Sequence, residues 1–152
     1  MKKQIFTGAV TLGLIGSIAA CSPSSDDTGS DPLTGEWRMT SLEVGTEGDL
    51  QPVPYSGQIT FTSDTVSVQA MNPDTEVPDT ALTVQGYEAF YGDLTTDPDA
   101  GTFTITVESA LARDLIGQTL DRNYEIDGDT LVLTPSDPAD GFRVTYERHS
   151  SS

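Results

Sequence analysis

The feature that most constrains this chain is a two-residue alternation of apolar and polar side chains, repeated in short segments. In TFTITVES (102–109), Phe103, Ile105 and Val107 fall on one side, and Thr102, Thr104 and Thr106 on the other. That period belongs to a half-buried strand, because successive side chains of a strand point to opposite faces. Seven further segments read as strands: EWRMTSLEV (36–44), GQITFT (57–62), TVSVQAM (65–71), YEAFYGDLT (87–95), QTLDRNYEI (118–126), TLVLT (130–134) and FRVTYER (142–148). Ser63-Asp64, TDPDAG (96–101) and Asp127-Gly128-Asp129 are turn-sized gaps rich in Asp, Gly and Pro. NPDTEVPDTALTVQ (72–85), with two prolines, predicts a short helix over 79–84, and ALARDLIG (110–117) a helical turn stopped by Gly117. Neither is long enough for a core helix. Eight sequential strands with so little helix predict an all-β fold, an eight-stranded up-and-down antiparallel barrel. Barrels of that size can hold one small ligand.

Residues 1–20 lie outside this pattern. Lys2 and Lys3 precede an uncharged apolar stretch, IFTGAVTLGLIGSIAA (5–20), which ends in small residues as a secretory signal does. It is shorter than the about 20 strongly apolar residues of a spanning helix. Ile18-Ala19-Ala20-Cys21 resembles the processing site of bacterial lipoproteins, and Cys21 is the only cysteine. The resemblance implies cleavage before Cys21, a diacylglycerol thioether on its sulfur, and anchorage to a membrane through that lipid. Ser22, where an Asp would favour inner-membrane retention, points to the outer membrane, facing the periplasm. The expected organisation is a signal peptide over 1–20, a Ser- and Asp-rich tether over 21–32, a barrel over 33–149 and a disordered tail over 150–152.

Processing would remove both lysines and leave five arginines against 24 acidic residues, a formal charge of −19. Such a surface repels phosphate, which excludes nucleic acid as a partner and leaves membrane attachment to the lipid. An acylated Cys21 leaves no thiol for a disulfide, so the fold depends on its core.

From Leu33 to Arg148 the chain resembles the lipocalin-like domain of bacteria and fungi. Leu33-Thr34-Gly35-Glu36-Trp37 matches its opening L-x-G-x-W pattern, and Gly86-Tyr87-Glu88-Ala89-Phe90-Tyr91-Gly92 a central G-Y-x-A-Y-x-G segment, departing at Phe90. Leu111, Gly117 and Arg122-Asn123-Tyr124 match a following stretch, and Asp129-Thr130-Leu131-Val132-Leu133 and Tyr146-Glu147-Arg148 match the end. The resemblance implies a barrel, with Trp37 packed under Arg148 at its base in a structural role. It implies no single activity, since one fold hosts many.

Alternation places Leu120, Arg122, Tyr124 and Ile126 on the inward face of their strand. A buried arginine needs a partner. Arg122 therefore either pairs internally with Glu88, Glu43 or a tyrosine hydroxyl, or holds the anionic head of a ligand. Tyr87, Tyr91 and Tyr124 either pack as ordinary core aromatics or, with Arg122, line a pocket for an amphipathic molecule. His149, the only histidine, lies in a loose terminus after the last strand, so no His-based catalytic set can be assembled. Nor is there a Cys–His cluster for zinc. The Asp-rich turns read as solvated rather than calcium-binding. The expectation is a monomeric, non-enzymatic envelope lipoprotein, without cofactor or metal, whose barrel binds a small hydrophobic or amphipathic molecule. The rival readings are a structural or protein-interaction lipoprotein with a filled barrel, and a small isomerase or cyclase using Tyr and Glu.

Overall fold

The computed structural model describes residues 30–150. Its strands are β1 (Gly35–Thr46), β2 (Asp49–Val53), β3 (Ser56–Phe61), β4 (Thr65–Met71), β5 (Tyr87–Asp97), β6 (Thr102–Ala110), β7 (Thr119–Asp127), β8 (Thr130–Pro135) and β9 (Phe142–Arg148). From β3 to β9 each strand pairs antiparallel with the next, and β1 pairs with both β3 and β9. The sheet is thereby closed, which removes the free edges an open sheet would expose.

Eight of these strands form the barrel as predicted, and β2 is an addition. It pairs with the second half of β1 (Leu42↔Val53 to Thr46↔Asp49), while β3 pairs with the first half (Gly35↔Phe61 to Arg38↔Gln58). β2 and β3 thus act as one long strand, broken by an extra residue at Pro54-Tyr55. Proline has no N–H for the ladder and suits such a break.

A second irregularity reverses the facing of β1. Its register with β9 slips between Met39 and Ser41, and Thr40 Oγ1 donates to the Thr145 carbonyl at 3.2 Å. Before the bulge Trp37 and Met39 face inward; after it Leu42 does, packed on the same core. One inserted residue keeps both halves of the strand apolar on the inside.

The closed end is built from Leu33 and Trp37, both fully buried, with Phe61, Phe103, Leu131 and Tyr124. Phe61 meets Phe103 edge-on at 5.4 Å between centroids, an arrangement that suits the ring quadrupoles. Trp37 Nε1 donates to the Leu33 carbonyl at 2.8 Å. As expected, Arg148 lies over Trp37, its guanidinium carbon 4.0 Å from the ring centroid. It also donates to the Thr34 carbonyl at 3.0 Å and the Pro32 carbonyl at 2.9 Å, and faces Asp129 at 3.7 Å. Gly35 makes room for it: φ is +128°, and a Cβ there would sit 3.1 Å from Arg148 Nη1. Asp31 accepts from the Thr96 hydroxyl and from Leu33 N–H. Asp31 and Pro32, expected at the end of the tether, are therefore fixed to the barrel. The closed sheet and the whole apolar cluster fall within residues 33–148, so this segment carries its own core.

The predicted helix over 79–84 is absent. Residues 72–86 instead form a strap held by local polar bonds. Thr83 N–H donates to Thr80 Oγ1 (3.0 Å), Gln85 N–H to Asp79 Oδ1 (2.7 Å) and Asp74 N–H to Asn72 Oδ1 (3.0 Å). Such bonds from Thr, Asp and Asn compete with helical ones, and here they win. The helical turn expected over 110–117 exists as a single 3₁₀ turn, Arg113–Leu115, which buries Leu115.

Candidate ligand cavity

The strap crosses the end of the barrel opposite Trp37 and leaves a cavity of about 630 Å³. This lies within the range of about 300–1,000 Å³ common to small-molecule sites. Its wall is mainly apolar, with Met39, Leu42, Ile59, Val68, Phe90 and Ile105 among the contributors. The strap adds Val77, Pro78 and Leu82, and β9 adds Phe142 and Val144. Each strand supplies these residues because its inward set is apolar: β4 buries Val66, Val68 and Ala70 and exposes the residues between.

Five titratable or charged groups share this wall: Tyr55, Glu88, Arg122, Asp140 and Tyr146. Glu88 enters through the alternation of β5, where Phe90, Gly92 and Leu94 are buried and Glu88 lies two residues before them. Burial lifts its carboxyl from 4.5 to about 7, against the opposing pull of Arg122. Arg122 comes from β7. Burial lowers its pKa, while Glu88, Asp140, Asp121 and Tyr146 act in the other direction. Tyr146, buried on β9, has its phenol pushed well above its ordinary value by burial and by Glu88.

Arg122 and Glu88 feel each other's charge without touching. Among the described residues the one ion pair within 4 Å is that of Arg148 and Asp129. Arg122 Nη1 donates to its neighbour's carbonyl, Asp121 O, at 2.9 Å, and its guanidinium lies over the Phe142 ring at 5.0 Å. Glu43 alternates with inward Leu42, which leaves Glu88, of the two glutamates expected as partners, on the cavity wall with Arg122.

Of the four residues expected to line the pocket, Arg122 does so. Tyr87 and Tyr91 do not: both stand on the outside of β5, 37% and 50% exposed. Strand parity allows only one face inward, and the fold buries the one carrying Phe90, Gly92 and Leu94, with Glu88 beside them. Tyr124 faces inward as expected but sits toward the closed end, outside the cavity wall, 6.1 Å from Phe103 between centroids. Its hydroxyl is buried without a hydrogen-bond partner, and burial, with Asp31 and Asp97, raises its pKa. Sequence reasoning missed Tyr146 and Asp140 as cavity groups. Alternation with Val144 could have found the first, since both lie on the same face of β9. Among the described residues no cluster of His, Cys, Asp and Glu could hold a metal ion. Cys21 and the segment before it lie outside the described residues.

No protein-family model matches the chain, and no curated protein matches it. Solved structures do. A lipocalin-like protein from Bacteroides uniformis aligns over 77% of this chain and 98% of its own, with TM-score 0.50 and 14% identity. An uncharacterized protein from Bacteroides eggerthii aligns over 77% and 99%, with TM-score 0.48 and 16% identity. The closed eight-stranded antiparallel barrel and the likeness to the first of these define the class: the chain folds as a lipocalin-like β-barrel. At such identity the likeness concerns the fold alone.

Proposed function

We propose that this protein is an envelope lipoprotein, anchored through acylated Cys21 at the outer membrane facing the periplasm, whose barrel binds a small hydrophobic or amphipathic molecule non-covalently as a monomer. The observation that carries the binding reading is the open interior: about 630 Å³ of mainly apolar cavity with a few polar groups on its wall. A barrel serving only as a structural or interaction module has no need of that void, which costs packing energy. A ligand burying about 200 Å² of apolar surface would gain about 5 kcal/mol at 25 cal/mol per Å². The anchor rests on Ile18-Ala19-Ala20-Cys21 behind a lysine-led apolar stretch.

Two experiments test the two halves. Mass spectrometry of the wild-type protein from membranes should find the added lipid mass at Cys21, and Cys21→Ala should move the protein to the soluble fraction. Wild-type protein without added mass would refute the anchor. Residues 22–152 should bind the uncharged polarity-sensitive dye N-phenyl-1-naphthylamine and release it to competing amphiphiles. Failure to bind the dye or any competitor would refute the cavity's role.

One observation favours a second reading. Glu88 and Tyr146 face the same cavity, and Glu88 adds to the upward shift of the Tyr146 phenol, a pairing suited to moving a proton on a bound isomerisable substrate. Molecules extracted from the purified protein and incubated with fresh protein distinguish the two. Recovery unchanged supports binding; conversion to an isomer supports catalysis.

A further inference from the structure

Resting on the binding reading, we propose that the cavity selects an amphiphile with an uncharged, amide-like head, one presenting a carbonyl oxygen and an N–H together, over a fatty acid or an alkylamine. The argument starts from two charged groups left apart. Arg122 and Glu88 enter the same mainly apolar chamber from β7 and β5, yet no ion pair within 4 Å joins them. Both are half-buried, and a ligand filling the chamber would cover them at a cost in free energy unless it met their hydrogen-bonding capacity. The guanidinium has five N–H donors, and among the described residues its one recorded acceptor is Asp121 O. Among the described residues no protein group donates a hydrogen bond to the Glu88 carboxylate. What completes the site must offer an acceptor to Arg122 and a donor to Glu88.

A carboxylate head supplies the acceptor but sets a second negative charge against Glu88, with Asp140 also on the wall. An ammonium head supplies donors but sets a positive charge against Arg122. A carboxamide supplies both on one planar group and adds no charge to be desolvated. Its carbonyl would receive a charge-assisted bond from Arg122, and its N–H would give one to Glu88. The acidic exterior works the same way, since it disfavours the approach of anionic amphiphiles.

Among the groups facing Glu88 from the packed strands, Arg122 is permanently charged and Tyr146 stays neutral over the working range. Glu88 itself changes state near neutrality. Below that point a protonated Glu88 repels a carboxylate no longer and can donate to it. Selection for the amide should therefore be strong in alkaline solution and fade in acid.

Dodecanamide, dodecanoate and dodecylamine, competed against N-phenyl-1-naphthylamine on residues 22–152, give the test. At pH 8 the amide should bind about tenfold more tightly than either charged chain. At pH 6 dodecanoate should close most of its gap. Glu88→Gln should close it already at pH 8, by gaining affinity for dodecanoate rather than losing it for the amide. Arg122→Leu should weaken the amide and dodecanoate and strengthen dodecylamine. Dodecanoate binding as tightly as the amide to wild-type protein at pH 8, or an unchanged ratio in Glu88→Gln, would overturn the inference and leave the binding cavity standing. Failure of the dye and all three chains to bind would overturn both.

Discussion

Two arginines enter the barrel, and the ends they occupy treat them differently. At the closed end Arg148 has two backbone carbonyls, a carboxylate at 3.7 Å and the face of Trp37. At the open end Arg122 has one carbonyl, an aromatic ring and a chamber shared with an unpaired Glu88. A charge surrounded by fixed acceptors is a fastening. A charge whose donors face a void has part of its interaction energy left for a visitor. One sheet supplies both, because the same inward parity that buries Trp37 on β1 presents Arg122 on β7.

The comparison breaks if the two arginines prove equivalent. Arg148→Leu would leave the Thr34 and Pro32 carbonyls without their donor and remove the cation from Trp37. Summing about 0.5–2 kcal/mol for the cation–π contact with about 1.5–3 kcal/mol for a charged hydrogen bond, and allowing for partial exposure, gives a loss of about 3 kcal/mol. The Tm should fall by roughly 10 °C. Arg122→Leu replaces a poorly paired, half-buried charge with an apolar side chain over Phe142, and should change stability by less than about 1 kcal/mol. Urea unfolding of both variants decides. Equal losses would make Arg122 another fastening and return it to the fold.

Glu88 sharpens the contrast with a dependence on pH. Its carboxyl rises from 4.5 in the unfolded chain to about 7 in the barrel. Between those values the folded state holds a proton that the unfolded chain has released. The stabilisation is complete below the lower value and is lost as pH rises through the upper one. With about 1.4 kcal/mol per unit and water reaching the open end, the loss between pH 5 and pH 8 is on the order of 2 kcal/mol. Glu88→Gln should remove that slope: near wild-type stability at pH 5, and about 2 kcal/mol greater at pH 8. The general repulsion of an acidic chain acts on both proteins, so the difference between their urea midpoints isolates Glu88. Parallel curves would mean that its carboxyl is hydrated like a surface one.

Much of the frame was legible in the sequence, because alternation is a local property. All eight barrel strands lie within a residue or two of their predicted bounds, and Trp37 and Arg148 meet as their motifs implied. The cavity was less legible, for reasons that individual residues make plain. On β5 the choice lay between a face with Tyr87, Ala89 and Tyr91 and one with Glu88, Phe90, Gly92 and Leu94. A carboxylate counts against burial and tyrosines count for it, yet the fold turns the half-buried carboxylate toward the cavity and leaves the tyrosines outside. Parity also says which face is inward but not how far along the axis a residue sits, so Tyr124 was placed in a pocket whose wall it does not reach. On β1 the skip in phase between Met39 and Leu42 was visible, and the bulge at Thr40 is its meaning. β2 is short and carries Pro52, and the strap over 72–86 is held by local side-chain bonds to the backbone, and alternation shows neither.

The smallest expected effect concerns Tyr124, whose hydroxyl is the exception to an otherwise well-paired closed end. Its ring packs beside Phe103 while its hydroxyl is buried without a partner. An unpaired buried hydroxyl costs about 1–3 kcal/mol relative to a satisfied one, whereas removing it leaves the ring contacts intact. Tyr124→Phe should therefore stabilise the barrel by up to about 1 kcal/mol and leave dye binding unchanged, since the ring stands outside the cavity wall. Thermal unfolding and one titration suffice. A loss of stability would show that the hydroxyl has a partner, such as a trapped water. A change in dye affinity would show that the cavity extends down to Tyr124, and that the two ends of the barrel are one site.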